Sequence, residues 1–199
     1  MELNNTITVI TDGSVRREQG VRTPQLGVLV LCPDNKVVKY KAFTQYSSTI
    51  TSNECEYIAL QTGLNEAYQY IKSYTHKGSV NPKDYDLVMY LDSELVVKQL
   101  INECDTKKES FKKMQKAIKL KTRMYNKASI YWHRRDSDLA VVADYASRNT
   151  PVRVENLWIQ YRQKDVSELI QEIYTRILTE EKKEKKEEKN EKKSTSKMS

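Results

Sequence analysis

The feature of this sequence that most constrains its fold is a change in the spacing of its apolar residues. Residues 6–11 are rich in β-branched side chains, residues 25–32 form an apolar run, and residues 36–43 alternate, all of which is typical of β-strands. The polar segment 16–24 contains Gly and Pro and predicts a loop. From residue 53 to 74, apolar side chains recur every three to four positions, which predicts an amphipathic helix. The first third of the chain therefore predicts three antiparallel strands followed by a helix.

The rest of the chain alternates helices with strands. Residues 86–91 are almost continuously apolar, which suits a central strand buried on both faces, and residues 128–133 predict a fifth strand. Further helices are predicted at 94–102, 107–125 and 139–148. The expected fold is α/β, with a mixed five-stranded sheet flanked by helices and a C-terminal helical extension.

The chain divides into three segments by composition. Residues 1–150 carry all the predicted strands and form the expected catalytic domain. Residues 151–179 follow a Thr-Pro break and predict a helical extension that docks on the domain or binds a protein partner. Residues 180–199 are a low-complexity Lys/Glu tail with eight Lys and six Glu.

Charge and cysteine content narrow the class of protein. The formal net charge is +7, of which the tail contributes only +2 (eight Lys minus six Glu), so the folded part is basic and favours a polyanionic partner. Three widely spaced cysteines show neither a disulfide framework nor zinc-ligand pairing, and the expected setting is the reducing cytoplasm. No apolar run approaches the roughly 20 residues that span a bilayer.

Four carboxylates stand at positions that suit a metal site, and each also has a structural alternative. Asp12 precedes a Gly and is typical of a turn; Glu56 suits the N3 position of a capping box with Asn53 as N-cap. Asp92 precedes the predicted helix 94–102 and suits a pre-cap residue, whereas Asp144 in an apolar helix is costly to bury without a partner. Four converging carboxylates would repel one another without cations, and oxygen ligands select Mg²⁺ or Mn²⁺.

Four motifs, taken together and in order, resemble the type 1 ribonuclease H family. They are Thr-Asp-Gly-Ser at 11–14, Thr-Ser-Asn-Glu-Cys-Glu-Tyr-Ile-Ala-Leu at 51–60, Leu-Asp-Ser-Glu-Leu-Val-Val-Lys-Gln-Leu at 91–100 and Ala-Asp-Tyr-Ala-Ser at 143–147. The resemblance covers roughly residues 5 to 149 and implies a ribonuclease H-like fold. It also implies an endonuclease that cuts the RNA strand of RNA–DNA hybrids and leaves 5′-phosphate and 3′-hydroxyl ends.

The same resemblance implies two Mg²⁺ ions, for which Mn²⁺ can substitute, and assigns the ligands. Asp12 would bind both ions, Asp144 would complete the site of the ion that activates water, and Glu56 and Asp92 would hold the second. Two ions about 3.5–4 Å apart can stabilise both the attacking and the leaving oxygen of an in-line displacement.

Substrate contacts also follow from the resemblance. Gly13, Ser52 and Asn53 would lie in the minor groove of the hybrid, where the 2′-hydroxyls distinguish RNA from DNA. Thr51 would hold a DNA phosphate, and Ser93, beside Asp92, is a further substrate-binding candidate. The family usually has a His or Glu that aids product release shortly before its last Asp; here the candidates are His133, Asp136 and Asp138.

Two alternatives to this function remain open from the residues. One is a non-catalytic nucleic-acid-binding scaffold on the same fold, because fold does not fix function. The other is a nuclease that acts on duplex RNA or duplex DNA. The eight Lys and Arg residues within 107–123 suit phosphate contact about as well as a solvated helix face.

Overall fold

The strands of the sheet come from distant parts of the chain. The computed structural model describes residues 5–18, 21–33, 37–40, 49–74 and 81–134, together with residues 137, 143 and 175. Within these residues the five strands are β1 (Thr6–Glu18), β2 (Val21–Leu31), β3 (Val37–Tyr40), β4 (Asp86–Leu91) and β5 (Ala128–Trp132). They form one sheet with the order β3-β2-β1-β4-β5.

The sheet is mixed, as the sequence predicts. The β1–β2 and β2–β3 pairs are antiparallel, whereas the β1–β4 and β4–β5 pairs are parallel. Parallel neighbours require a crossover connection, and helices supply both crossovers. Helix α1 (Ser52–Tyr74) precedes β4, and helices α2 (Glu94–Leu100) and α3 (Glu109–Thr122) lie between β4 and β5. The expectation of an α/β fold with a mixed sheet and flanking helices is therefore confirmed.

The main core fills the space between one face of the sheet and these three helices. Alternate strand residues such as Val9 and Leu91 pack with Leu64 of α1 and Ile118 of α3 in one buried cluster. Residues of the opposite parity on β1, such as Ile10, are also buried. β1 and β2 thus hold both of their faces largely away from water over much of their length, which fixes their register.

Strand β4 is central but is not fully buried on both faces. Leu87, Met89 and Leu91 are buried, whereas the alternate residues Asp86, Val88 and Tyr90 are only half-buried. Tyr90 stacks on Tyr131 of β5, with ring centroids 5.5 Å apart, and Tyr131 is 50% exposed. The sequence prediction was wrong on this point because an apolar run does not reveal whether an aromatic side chain will remain partly in water.

The predicted loop at 16–24 is also wrong. Strands β1 and β2 continue as an antiparallel pair as far as Glu18 and Val21, and Pro24 lies within β2 opposite Val15. Asp12 is consequently an interior residue of β1 paired with Gly27, and the Asp-Gly dipeptide does not form a turn. Backbone pairing does not require burial, so this polar extension carries no apolar alternation by which it could be recognised.

Several predicted elements lie outside the described residues. Of the predicted helix 139–148 only Ala143 is described, and it is helical and buried. Asp136, Asp138 and Asp144 are not among the described residues, nor are the extension at 151–179 and the tail at 180–199, apart from Thr175. Among the helices that are described, none combines the length and the apolar character needed to cross a bilayer.

Candidate metal centre

Three of the four predicted carboxylates lie together at one end of the sheet. Asp12 belongs to β1, Glu56 to the first turns of α1, and Asp92 directly follows β4. Each offers an oxygen, and these three oxygens lie within 4.8 Å of one another. The fourth, Asp144, lies outside the described residues.

The parallel pairing of β1 with β4 brings the two aspartates together. The pairing of β1 with β4 ends at Thr11 and Leu91. Asp12 and Asp92 are the residues that follow this last pair, one on each of the two segments. β1 continues beyond this point along β2, whereas the chain leaves β4 to begin α2. The carboxyl end of a strand in such a sheet is a common position for a functional side chain.

Helix α1 brings Glu56 to the two aspartates because Gly13 has no side chain. A Cβ at Gly13 would collide with the backbone of Cys55 and Glu56. The Gly13 N–H also lies close enough to the Glu56 carboxylate to lower its pKa. The space beside Gly13, which the sequence analysis assigned to a ligand, is therefore filled by the protein's own helix.

Glu56 is not used to cap its helix. The Thr51 N–H donates to Glu54 Oε2 at 2.9 Å, and the Glu54 N–H donates to Thr51 Oγ1 at 3.2 Å, which is a capping box. Lys108 donates to the other oxygen of Glu54 at 2.7 Å. The capping role considered for Asn53 and Glu56 is therefore wrong. The Thr-x-x-Glu pattern at 51–54 was the sequence signal for the box that the structure contains.

The carboxylates occupy a poorly solvated site. Asp12 is 8% exposed and Glu56 is 6% exposed. Burial raises the pKa of Glu56 well above its ordinary value, and the charges of Asp92 and Asp12 and a hydrogen bond with Asp92 add to this. The Gly13 N–H acts in the opposite direction. Without a compensating positive charge, the site disfavours the ionised form of Glu56.

The residues present fit a hard divalent cation. Glu56 Oε2 is buried and has no hydrogen-bond partner among the described residues. Carboxylate oxygens that converge within 4.8 Å are the ligands that Mg²⁺ and Mn²⁺ prefer. A cation there would supply the positive charge that burial makes necessary.

The residues around Asp92 hold its backbone firmly. The Ser93 side chain caps α2 by accepting from the Val96 N–H at 3.4 Å. The Trp132 indole N–H donates to the Asp92 carbonyl at 3.1 Å, a contact that the sequence did not reveal. Asp92 does precede a helix, as expected for a pre-cap residue. Its side chain nevertheless also lies in the acidic cluster.

His133, a candidate for product release, is buried at the end of β5. Its N–H donates to the Leu91 carbonyl at 2.9 Å, which extends the pairing with β4 by one residue. The ring Nδ1 lies 3.2 Å from Ser137 Oγ. Burial lowers the pKa of His133, although the Arg134 carbonyl and the charge of Asp92 oppose this. These contacts describe a fixed side chain near Asp92.

The predicted substrate residues Thr51, Ser52 and Asn53 lie about one turn before Glu56, at the start of α1. Thr51 and Ser52 are exposed, and Asn53 is half-buried. Thr51 is engaged in the capping box described above, while Ser52 and Asn53 occupy the first turn of the helix. Their exposure leaves them accessible to a ligand at the carboxylate site.

Comparison with solved structures identifies the fold. RNase H1 from the halophilic archaeon Halobacterium salinarum matches with a TM-score of 0.53 at 20% identity, covering 71% of this chain and 94% of that chain. The N-terminal RNase H domain of a Mycobacterium tuberculosis protein matches with a TM-score of 0.53 at 19% identity, covering 71% and 95%. LC11-RNase H1, isolated from compost, matches with a TM-score of 0.51 at 20% identity, covering 71% and 92%.

These similarities show that the chain has the ribonuclease H fold. No protein-family model matches the sequence. A search of curated proteins likewise finds no match.

Proposed function

We propose that this protein is a divalent-metal-dependent endonuclease that hydrolyses the RNA strand of RNA–DNA hybrids. The observation that carries the proposal is the convergence of Asp12, Glu56 and Asp92, with Glu56 buried and in need of a positive charge. The ribonuclease H fold supports it, and a structure of LC11-RNase H1 in complex with an RNA/DNA hybrid is also similar in fold.

The roles follow the motif resemblance. Asp12 would bind both Mg²⁺ ions, Glu56 and Asp92 would hold one of them, and Asp144 would complete the site of the other. Bound ions would activate water and stabilise the leaving 3′ oxygen, which leaves a 5′-phosphate on the product. The protein's own contribution is to hold its carboxylates in place before substrate arrives, through Gly13, the α1 capping box and the Trp132–Asp92 hydrogen bond.

We assign recognition of the hybrid to residues 51–53, at the start of α1. Ser52 and Asn53 would contact the minor groove, where the 2′-hydroxyls of the RNA strand are exposed, and Thr51 would contact a DNA phosphate. Gly13 would contact the hybrid only through its backbone atoms, because helix α1 occupies the space where a side chain would lie. The Ser93 hydroxyl already caps α2, so any contact with substrate would add to that hydrogen bond.

The test is cleavage of three labelled duplexes by the purified chain in Mg²⁺. We expect the RNA strand of an RNA–DNA hybrid to be cut, and duplex RNA and duplex DNA to be cut much more slowly. Asp12→Asn and Asp92→Asn should each lower hybrid cleavage by at least about 10³-fold, because each removes a charged metal ligand. Asp105→Asn, which alters an exposed carboxylate, is the matched control and should cleave like the wild type.

Thermal melting separates loss of chemistry from loss of fold. Both site variants should melt cooperatively and should gain less stability from Mg²⁺ than the wild type gains. Undiminished cleavage by either variant would refute the metal-centre assignment. Faster cleavage of duplex RNA or duplex DNA would instead refute the assignment of substrate.

A further inference from the structure

The ends of β1 and β2 form a two-stranded ribbon that carries a pair of facing arginines. The ladder between the two strands continues past the carboxylate site, and Arg17 on β1 lies directly opposite Arg22 on β2. We call Arg17 and Arg22 the ribbon arginines. Residues 16–18 and 22 together hold three Arg and one Glu, so this part of the ribbon has a net charge of +2.

The facing position of the ribbon arginines is unfavourable unless an anion joins them. Directly opposed residues of an antiparallel pair point to the same face, with Cβ atoms about 4.5–5.5 Å apart, and like charges there are destabilising. Arg17 is exposed and Arg22 is half-buried, and within the described part of the chain neither forms an ion pair. Two guanidinium groups at this separation suit a phosphate, which each can bind through two hydrogen bonds.

The ribbon arginines lie on the same face of β1 as Gly13. Side chains of a strand alternate between faces, so Gly13, Val15 and Arg17 share one face. Gly13 lies against the backbone of Glu56, and Val15 packs against the core. Arg17 is four residues beyond Gly13, which is about 13 Å along the strand. The positive pair therefore lies on the face of the sheet that carries the start of α1 and Glu56, about 13 Å from Gly13 and on the side towards which β1 extends.

We propose that the ribbon arginines bind the sugar–phosphate backbone of the polynucleotide that the carboxylate site receives. The inference rests on the proposed function, and it extends the substrate site to a duplex long enough to reach the ribbon. A nucleic acid fits better than an acidic protein because its phosphates form an unbroken row. The same strand can therefore place one phosphate at the carboxylates and another about 13 Å away at the ribbon arginines. The contact is independent of sequence and sensitive to salt, as expected for binding through phosphates.

The test is binding without metal, so that affinity is measured apart from chemistry. The probe is a fluorescently labelled RNA–DNA hybrid, titrated in EDTA and followed by anisotropy at KCl concentrations between about 50 and 200 mM. Arg17→Gln/Arg22→Gln should bind about tenfold more weakly than the wild type at the middle of this range. The slope of log K against log salt should fall by about 2, or about 1 for each arginine that no longer binds a phosphate. Arg17→Lys/Arg22→Lys should retain the slope because it retains the charge.

A matched control removes the same charge at the opposite end of the molecule. Lys127 precedes β5, and Lys72 lies in the last turn of α1, and both are exposed. Both positions are far from the carboxylates, which lie at the end of β4 and the start of α1. Lys72→Gln/Lys127→Gln should change the affinity less than about twofold and leave the slope within about 0.5 of the wild type. Melting curves should show that both double variants fold.

The outcomes separate this inference from the proposed function. If the wild type cleaves the hybrid in Mg²⁺ but Arg17→Gln/Arg22→Gln binds like the lysine control, the ribbon inference is overturned and the nuclease stands. If the wild type binds the hybrid without cleaving it, and the arginine variant binds about tenfold more weakly, the ribbon inference stands and the proposed chemistry fails. Equal losses of affinity in both double variants would show a general charge effect and would also overturn the inference.

Discussion

At the scale of single residues, Glu56 shows why a cation would stabilise this site. Its carboxylate is buried close to those of Asp12 and Asp92, and the Gly13 N–H only partly offsets the cost of its charge. The buried oxygen Oε2 without a hydrogen-bond partner among the described residues would be unfavourable in a purely structural carboxylate. The energetic cost is consistent with a group kept for ligand binding, at the expense of stability in the metal-free protein.

The first prediction concerns the pH dependence of stability without metal. The pKa of Glu56 lies above its ordinary value of 4.5 in the folded state, so folding favours the protonated form. Glu56 therefore imposes no cost below pH 4.5, and its cost grows as the pH rises towards the folded pKa. In EDTA, Glu56→Gln should melt at a higher temperature than the wild type at pH 8. The difference should disappear near pH 4.5, and a relief of about 1 kcal/mol corresponds to about 2–4 °C.

Magnesium should reverse the order of the two proteins. Saturating Mg²⁺ stabilises the wild type by mass action and stabilises Glu56→Gln less, because the amide is a weaker ligand. Glu103→Gln, an exposed carboxylate change, should follow the wild type under both conditions. Calorimetric melts at several pH values give the comparison. A wild type that melts above Glu56→Gln in EDTA at pH 8 would contradict the assigned electrostatic cost.

The sequence was informative for the acidic residues and less so for their surroundings. Asp12, Glu56 and Asp92 were selected from motifs, and the structure brings them together. The observed role of Gly13 differs from the predicted contact with substrate. The collision that Gly13 avoids involves Cys55, which is distant in sequence. The burial of His133 was equally inaccessible, because it depends on pairing with Leu91 across the sheet. Long-range backbone contacts leave no local pattern.

At the scale of elements, the start of α1 links the site to the rest of the helical layer. Glu54 accepts from Thr51 within the capping box and from Lys108, which immediately precedes α3. The pKa of Glu54 is lowered chiefly by the hydrogen bond from Lys108, while burial opposes this. One side chain thereby fixes both the first turn of α1 and the position of α3 against it. Since Glu56 lies two residues further on, the cap also helps to hold the proposed metal ligand in place.

The second prediction is that Glu54 and Lys108 are coupled. Glu54→Ala should lower the free energy of unfolding by about 1–2 kcal/mol, because it removes a cap and an ion pair together. A double-mutant cycle with Lys108→Met, measured by urea denaturation, should give a coupling energy of about 0.5–1 kcal/mol. The exposed Glu94–Lys98 pair on α2, also 2.7 Å long, is the control and should give about 0.3–0.5 kcal/mol. A coupling for Glu54 and Lys108 no larger than that of the control would contradict this role.

The elements were predictable where burial shapes them. Strand β4 is found at the predicted bounds of 86–91, and α1 begins at Ser52, one residue before its predicted start. The outer parts of β1 and β2 were missed because their sequence is mostly polar and contains Gly20 and Pro24, which is typical of a loop. The hydrophobic effect gives a strand its alternating pattern only where one face meets a core. The ribbon that carries Arg17 and Arg22 is defined by its backbone pairing, which no local sequence pattern reveals.

At the scale of the whole molecule, the described buried core and the carboxylates proposed as metal ligands lie within the first 150 residues. The buried apolar cluster draws its members from β1, β2, α1, β4, α2 and α3 and the segments between them. All four carboxylates assigned to the metals also precede residue 150. A domain that has its own core is expected to fold independently of the segments attached to it. The division at residue 150 is thus a proposal with a physical basis.

The last prediction is that residues 1–150 suffice for folding and cleavage. A variant that ends after Thr150 should unfold cooperatively in urea, because it keeps the whole described core. It should cleave the hybrid within about threefold of the full chain at low salt, because it keeps all four proposed metal ligands. Asp144→Asn should abolish cleavage in both lengths of chain while leaving both folded, which tests the fourth ligand in the same experiment. If the shortened chain fails to fold, residues 151–199 complete the core and the proposed boundary is wrong. If it folds but binds hybrid much more weakly, the extension contributes to the substrate surface.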